Sequence, residues 1–215
     1  MTEVHRVRVA PERLQRWLAG FAERHPGPRA TATPDAVELT SPDGARARLE
    51  APWGPPAEDD PLAALIAQVT RPRRVGALLV RRNSHAVGLF DGNDLVLHRV
   101  GRHYVQGRTK AGGWSQQRYA RRRGNQAERA FDKAARDAAE LLLPAAGTLD
   151  AMLLGGDAQA VRVVLADPAL AELRDVHERH RRPLLAVPDP NLQVLRDALP
   201  RFLAVTIQLN AEAMA

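Results

Sequence analysis

Residues 74–81, 85–90 and 95–103 form three successive runs with the apolar density and alternation of β-strands, each bounded by a short polar break. Asp91-Gly-Asn-Asp94 joins the last two as a hairpin, because Gly and Asn tolerate the backbone angles of a tight return. A sheet buries its apolar side chains only against another layer, and the next periodic segment supplies one. Ala127, Ala130, Phe131, Ala134, Ala138 and Leu141 recur at helical spacing, predicting a helix over about residues 126–143. Such a helix would extend on the order of 27 Å. The remainder alternates between a strand at 148–154, helices at 157–165 and 170–180, a strand at 184–187 and a C-terminal helix from about residue 192. Strands and helices in this order define an α/β class with a mixed sheet and crossovers.

Before the meander lies a smaller pattern. Residues 4–9 read as a strand, and residues 11–22 as a helix with Leu14, Trp17, Leu18 and Phe21 on one face, ended by Pro26-Gly-Pro28. Strands follow at 36–39 and 45–49 around the turn Ser41-Pro-Asp-Gly44, giving a small β-α-β-β unit over residues 1–52. The breaker-rich and acidic stretch 53–61 reads as a linker, a short helix follows at 62–69, and residues 62–215 are expected to form the second domain. A chain of 215 residues with 45% hydrophobic residues can bury a core of its own.

The sequence has no cysteine, which removes disulfides, thiolate nucleophiles and cysteine metal sites. Its apolar runs fall far short of a membrane span and its first residues lack a signal-peptide core, so a soluble cytoplasmic protein with no membrane partner is expected.

The charge is unevenly spread. The formal net charge is only +6, from 31 basic and 25 acidic residues, yet residues 99–129 hold nine Arg or Lys against the single acid Glu128. Such a patch concentrates phosphate-bearing partners and makes their binding salt-dependent. Residues 104–125 within it show no sustained apolar period and many Gly, Gln and Arg residues, which predicts a long, exposed and mobile loop.

That segment carries the chemistry. Gly112 and Gly113 permit close approach of the backbone to a large surface. Gln116 and Gln117 offer amides that donate and accept hydrogen bonds, so they can orient a water without taking its proton. Lys110, Arg118, Arg121, Arg122 and Arg123 supply phosphate-binding charge, and Trp114 and Tyr119 can stack on bases. Composition alone favours a flexible basic surface loop that merely binds RNA.

The order Gly-Gly-Trp-Ser-Gln, followed by an arginine-rich run and a long alanine-rich helix, resembles the Vms-type release-factor-like hydrolases in their compact bacterial version. These in turn resemble the Gly-Gly-Gln-bearing domain of eukaryotic and archaeal peptide-chain release factors. The resemblance covers roughly residues 74–215 and implies a ribonuclease-H-like mixed sheet flanked by helices. It further implies peptidyl-tRNA hydrolysis on stalled large ribosomal subunits, with the large subunit and peptidyl-tRNA as partners of a monomer that needs no cofactor or metal. Gly112, Gly113, Ser115 and Gln116 match the family motif of Gly-Gly-Gln or Gly-Ser-Gln. Trp114 is an insertion and Gln117 a second candidate, so the catalytic glutamine is Gln116, favoured because it follows the serine, or its neighbour. An endonuclease acting near the tRNA 3′ end and a non-catalytic ribosome-binding factor are the rival readings.

Other constellations carry less. His177-Glu-Arg-His180 lacks the general base of a metalloprotease helix, and Ser115 has no neighbouring histidine to activate it. Gly155-Gly156-Asp157 stands where α/β proteins often bind phosphate, but Asp157 reads as a helix N-cap whose carboxylate would repel an anion.

Overall fold

Local sequence signals set most element boundaries in the computed structural model, which describes the backbone of residues 4–102 and 115–214 and the side chains outside 103–127. The chain divides into two compact units, Pro72–Leu199 and a discontinuous one formed by Met1–Arg71 with Pro200–Ala215.

The first unit opens with β1 (His5–Val9), α1 (Leu14–Arg24), β2 (Arg29–Ala32), β3 (Ala36–Thr40), β4 (Arg46–Glu50) and α2 (Pro61–Thr70). Pro61 stands at the start of α2, where its missing N–H costs nothing, and the Asp60 carboxylate accepts from Ala63 N at 3.0 Å. The acid-rich stretch thus ends as a helix cap. Leu14 and Phe21 of α1 and Leu65 and Val69 of α2 cluster with Val37, Leu39 and Leu49 on the inward face of the sheet.

The second unit begins with the expected meander, β5 (Arg74–Arg81), β6 (Ser84–Asp91) and β7 (Asp94–Arg102), each antiparallel to the next. The long helix α3 (Ser115–Leu142) follows, then β8 (Ala151–Gly156), α4 (Ala158–Leu165), α5 (Ala171–Arg179) and α6 (Leu192–Leu203). β8 adds parallel to β5, so the sheet order is β7-β6-β5-β8. The parallel arrangement follows from the crossover through α3. Almost every residue of β5 and β6 is buried, as for strands covered on both faces. Leu78, Val80, Val87 and Leu89 meet Ala134, Ala138 and Leu142 of α3 on one face. On the other, Leu195 of α6 lies close against Gly88. This is the mixed sheet flanked by helices that the resemblance implies.

At the end of β8 a Cβ on Gly156 would stand 2.1 Å from the Val80 carbonyl oxygen, and its φ of +107° is open only to glycine. The chain then turns into α4, where Asp157 accepts from Ala160 N at 2.8 Å, the N-cap role expected of it.

Several expectations need correction. The predicted strand at 184–187 is a single parallel bridge, Gly155 to Leu185. The predicted loop at 104–125 is helical from Ser115 onward, so α3 starts about eleven residues earlier than its apolar period suggests. Arg, Gln and Ala are good helix formers without an apolar period, and one interior glycine, Gly124, costs only about 1 kcal/mol. Residues 104–114 of that loop lie outside the described residues.

The domain boundary moves as well. After α6 the chain forms β9 (Val205–Leu209), which enters the first sheet between β1 and β4 and gives the order β1-β9-β4-β3-β2. Val205, Ile207 and Leu209 are buried there, because their period-two spacing matches the inward positions of β1 and β4. Residues 62–71 and 200–215, expected in the second domain, therefore belong to the first unit. That unit also holds β2, which makes it more than a β-α-β-β motif. Among the described residues no helix is long and apolar enough to cross a membrane.

Candidate functional site

The helix α3 links the predicted chemistry to the core. Its C-terminal half is held by Leu142 and by Ala130, Ala134, Ala135 and Ala138, all buried, and the small alanine side chains let the helix lie close on the sheet. Among them sits a carboxylate, Asp137, only 3% exposed. An uncompensated charge at such a position would be strongly destabilising.

Three donors compensate it. His85 Nε2–H donates to Asp137 Oδ2 at 2.7 Å, Lys133 Nζ donates to the same oxygen at 2.8 Å, and Arg99 Nη1 donates to Oδ1 at 3.0 Å. Lys133 reaches Asp137 because the two stand four residues apart on one helix face. Arg99 and His85 come from β7 and β6, and Arg99 also pairs with Glu140 one turn further along α3. Gly101, paired with His85 across the strands, leaves room for the imidazole, since a Cβ there would stand 2.2 Å from His85 Cε1. Helix and sheet are thereby locked by polar contacts as well as by packing.

The ionisation states follow from these surroundings. Burial acts to raise the Asp137 carboxyl, but hydrogen bonds from Lys133, His85 and Arg99 outweigh it and hold the group at about 2. Burial pushes the His85 imidazole below its ordinary value despite the attraction of Asp137. At neutral pH a neutral histidine therefore donates to an ionised aspartate.

Of the predicted site residues, Ser115, Gln116, Gln117, Arg118, Tyr119, Arg121, Arg122 and Arg123 occupy α3. Lys110, Gly112, Gly113 and Trp114 lie outside the described residues. Consecutive helix positions are rotated by about 100°, so positions 116 and 117 occupy different sides of α3. Position 116 shares a side with 119 and 123, and position 118 with 121 and 122. Along the axis, Gln116 is about 32 Å from Asp137 at ~1.5 Å per residue.

Sequence reasoning missed the knot of His85, Arg99, Lys133 and Asp137 altogether. Two signals pointed to it: a histidine inside an otherwise apolar strand, and a Lys–Asp pair at i,i+4 on the apolar side of an alanine-rich helix.

A meander joined to a parallel strand, with Ser115-Gln116-Gln117 and the arginine run on the crossover helix, agrees with a release-factor-like protein. The family model of the Actinobacteria/chloroflexi VLRF1 release factor matches residues 73–208, and the chain belongs to that family. It is thus a translation protein. Among solved structures, the archaeal translation termination factor aRF1 is 14% identical over 96% of this chain and 72% of its own, with a TM-score of 0.47. An archaeal protein is 18% identical over 82% of this chain, which spans about half of that protein's length (51%), with a TM-score of 0.43. No curated protein matches the sequence.

Proposed function

We propose that this protein is a peptidyl-tRNA hydrolase that acts, as a cytoplasmic monomer, on stalled large ribosomal subunits. The observation that carries this reading is membership of a release-factor family over a region that contains the Gly-Gly-Trp-Ser-Gln-Gln segment. Gln116 orients a water against the ester carbonyl carbon through an amide that both accepts and donates. The water oxygen adds to that carbon, the bond to the terminal ribose oxygen breaks, and the ribose oxygen leaves with a proton. An amide cannot serve as a base, so stabilisation of the developing charge falls largely to the RNA around it. Gly112 and Gly113 let the segment approach the ester closely, and Arg118, Arg121, Arg122 and Arg123 hold phosphates, with Lys110, Trp114 and Tyr119 as further RNA contacts.

The decisive experiment incubates the purified protein with stalled large subunits that carry labelled peptidyl-tRNA. Free peptide with full-length tRNA supports the esterase. Peptide still attached to a shortened tRNA fragment would replace it with an endonuclease, and an unchanged substrate with an RNA-binding factor that does no chemistry.

A further inference from the structure

The outward face of the first sheet carries charge that the proposed reaction does not use. Inward positions of β1, β9, β4 and β3 hold the apolar side chains that meet α1 and α2, and the alternate positions face away from them. Arg6 and Arg8 of β1, Arg29 of β2 and Arg46 of β4 lie at those outward positions and are exposed. Register sets them in rows. Arg46 pairs with Thr40, which pairs with Arg29, while Arg6 pairs with Gln208, which pairs with Arg48. Arginines two strands apart in one row have backbones about 10 Å apart.

The acids nearby are already engaged. Arg48 pairs with Asp35 at 2.6 Å and with Glu38 at 3.6 Å, and Glu50 accepts from Gln208 Nε2 at 3.2 Å. Arg6, Arg8, Arg29 and Arg46 make no ion pair among the described residues. Between the rows lies a depression of about 240 Å³, lined by polar side chains, among them Arg46, Arg48 and Gln208, and by apolar ones, among them Val4 and Leu209.

We propose that this face is a second RNA-contact surface, gripping the phosphate backbone. Unshielded arginines in parallel rows suit a chain of phosphates, because each contact releases condensed counterions. No aromatic side chain stands on the outward positions of these strands to stack on a base, so recognition is indifferent to sequence. The choice of RNA among polyanions rests on the ribosomal reading above.

The test uses the full chain and a fluorescein-labelled RNA hairpin of arbitrary sequence, followed by fluorescence polarisation across a salt series. Arg6→Gln, Arg8→Gln and Arg46→Gln are combined in one variant. Arg13→Gln, Arg16→Gln and Arg24→Gln, in and just before α1, are combined in a second that removes the same charge from the same unit. The sheet variant should bind at least about tenfold more weakly near physiological salt, with its log–log salt slope flatter by about 2 to 3 at roughly 0.9 per lost phosphate contact. The α1 variant should retain both. Unchanged RNA binding by the sheet variant, or equal losses in the two variants, overturns the proposal; so does a loss confined to heparin. Peptide release is scored separately, so a protein that binds RNA through this face but releases no peptide keeps this inference and loses the hydrolase.

Discussion

His85 and Asp137, separated by 52 residues in the chain, share a 2.7 Å hydrogen bond inside the second unit, where the imidazole is 1% exposed. The bond joins the middle strand of the meander to the helix that carries the candidate glutamines. Asp137→Ala should therefore destabilise the second unit by about 3 kcal/mol. That is the low end for breaking a buried charged pair, because Lys133 and Arg99 are half-exposed and regain water. Urea unfolding measures it, and a loss below about 1 kcal/mol would show that the knot contributes little.

The same knot sets an acid limit on stability. The unfolded His85 takes up a proton near 6.5 while the folded imidazole, its value lowered, does not, so stability falls as pH drops below about 6.5. Asp137 contributes stability that is present above 3.8 and lost as pH falls through about 2, a second decline. A thermal-melt series from pH 8 to pH 4 should show the first decline in the native protein and a smaller one in His85→Gln. Identical profiles for the two would remove His85 from the explanation.

Gln116→Ala should abolish peptide release while leaving the melting temperature and large-subunit binding nearly unchanged, since alanine is the strongest helix former and keeps α3 intact. Gln117→Ala, one position and about 100° further around the same helix, should remain active. Release kinetics with both single variants and the double variant decide it. Loss in Gln117→Ala alone moves the role by one residue, and native-rate release by the double variant ends the hydrolase reading.

Replacing Arg118, Arg121, Arg122 and Arg123 together by alanine should weaken large-subunit binding and flatten its salt dependence, each single replacement having a modest effect. Sedimentation with purified subunits across a salt series checks this. A folded quadruple variant with an unaltered slope would refute the arginine patch.

Much of this architecture was legible in the sequence. The meander was plain because β5 to β7 follow one another through short turns, so each strand's partner is its neighbour in the chain. What escaped depends on partners far away in sequence. Val205-Thr-Ile-Gln-Leu209 alternates cleanly and is rich in β-branched residues, yet it follows the helical pattern of α6 directly and its neighbours lie at the other end of the chain. The strand Arg29-Ala-Thr-Ala32 is short and built of small side chains, so little apolar contrast marks it. The early start of α3 escaped for the opposite reason, since residues 115–125 are mostly polar and have no apolar period to reveal a helix. At the candidate site the motif was readable as residue order, whereas the His85–Asp137 bond required the fold to bring two distant elements together.

The placement of β9 also imposes a timetable. A ribosome making this protein releases β1 to β4 first, yet the strand that belongs between β1 and β4 emerges only after the second unit. The second unit, whose sheet is contained within residues 72–199, can complete itself while the first still waits. Until β9 leaves the exit tunnel, β1 and β4 keep open edges that would be vulnerable to pairing with the wrong strand. The first unit thus begins before the second and closes after it.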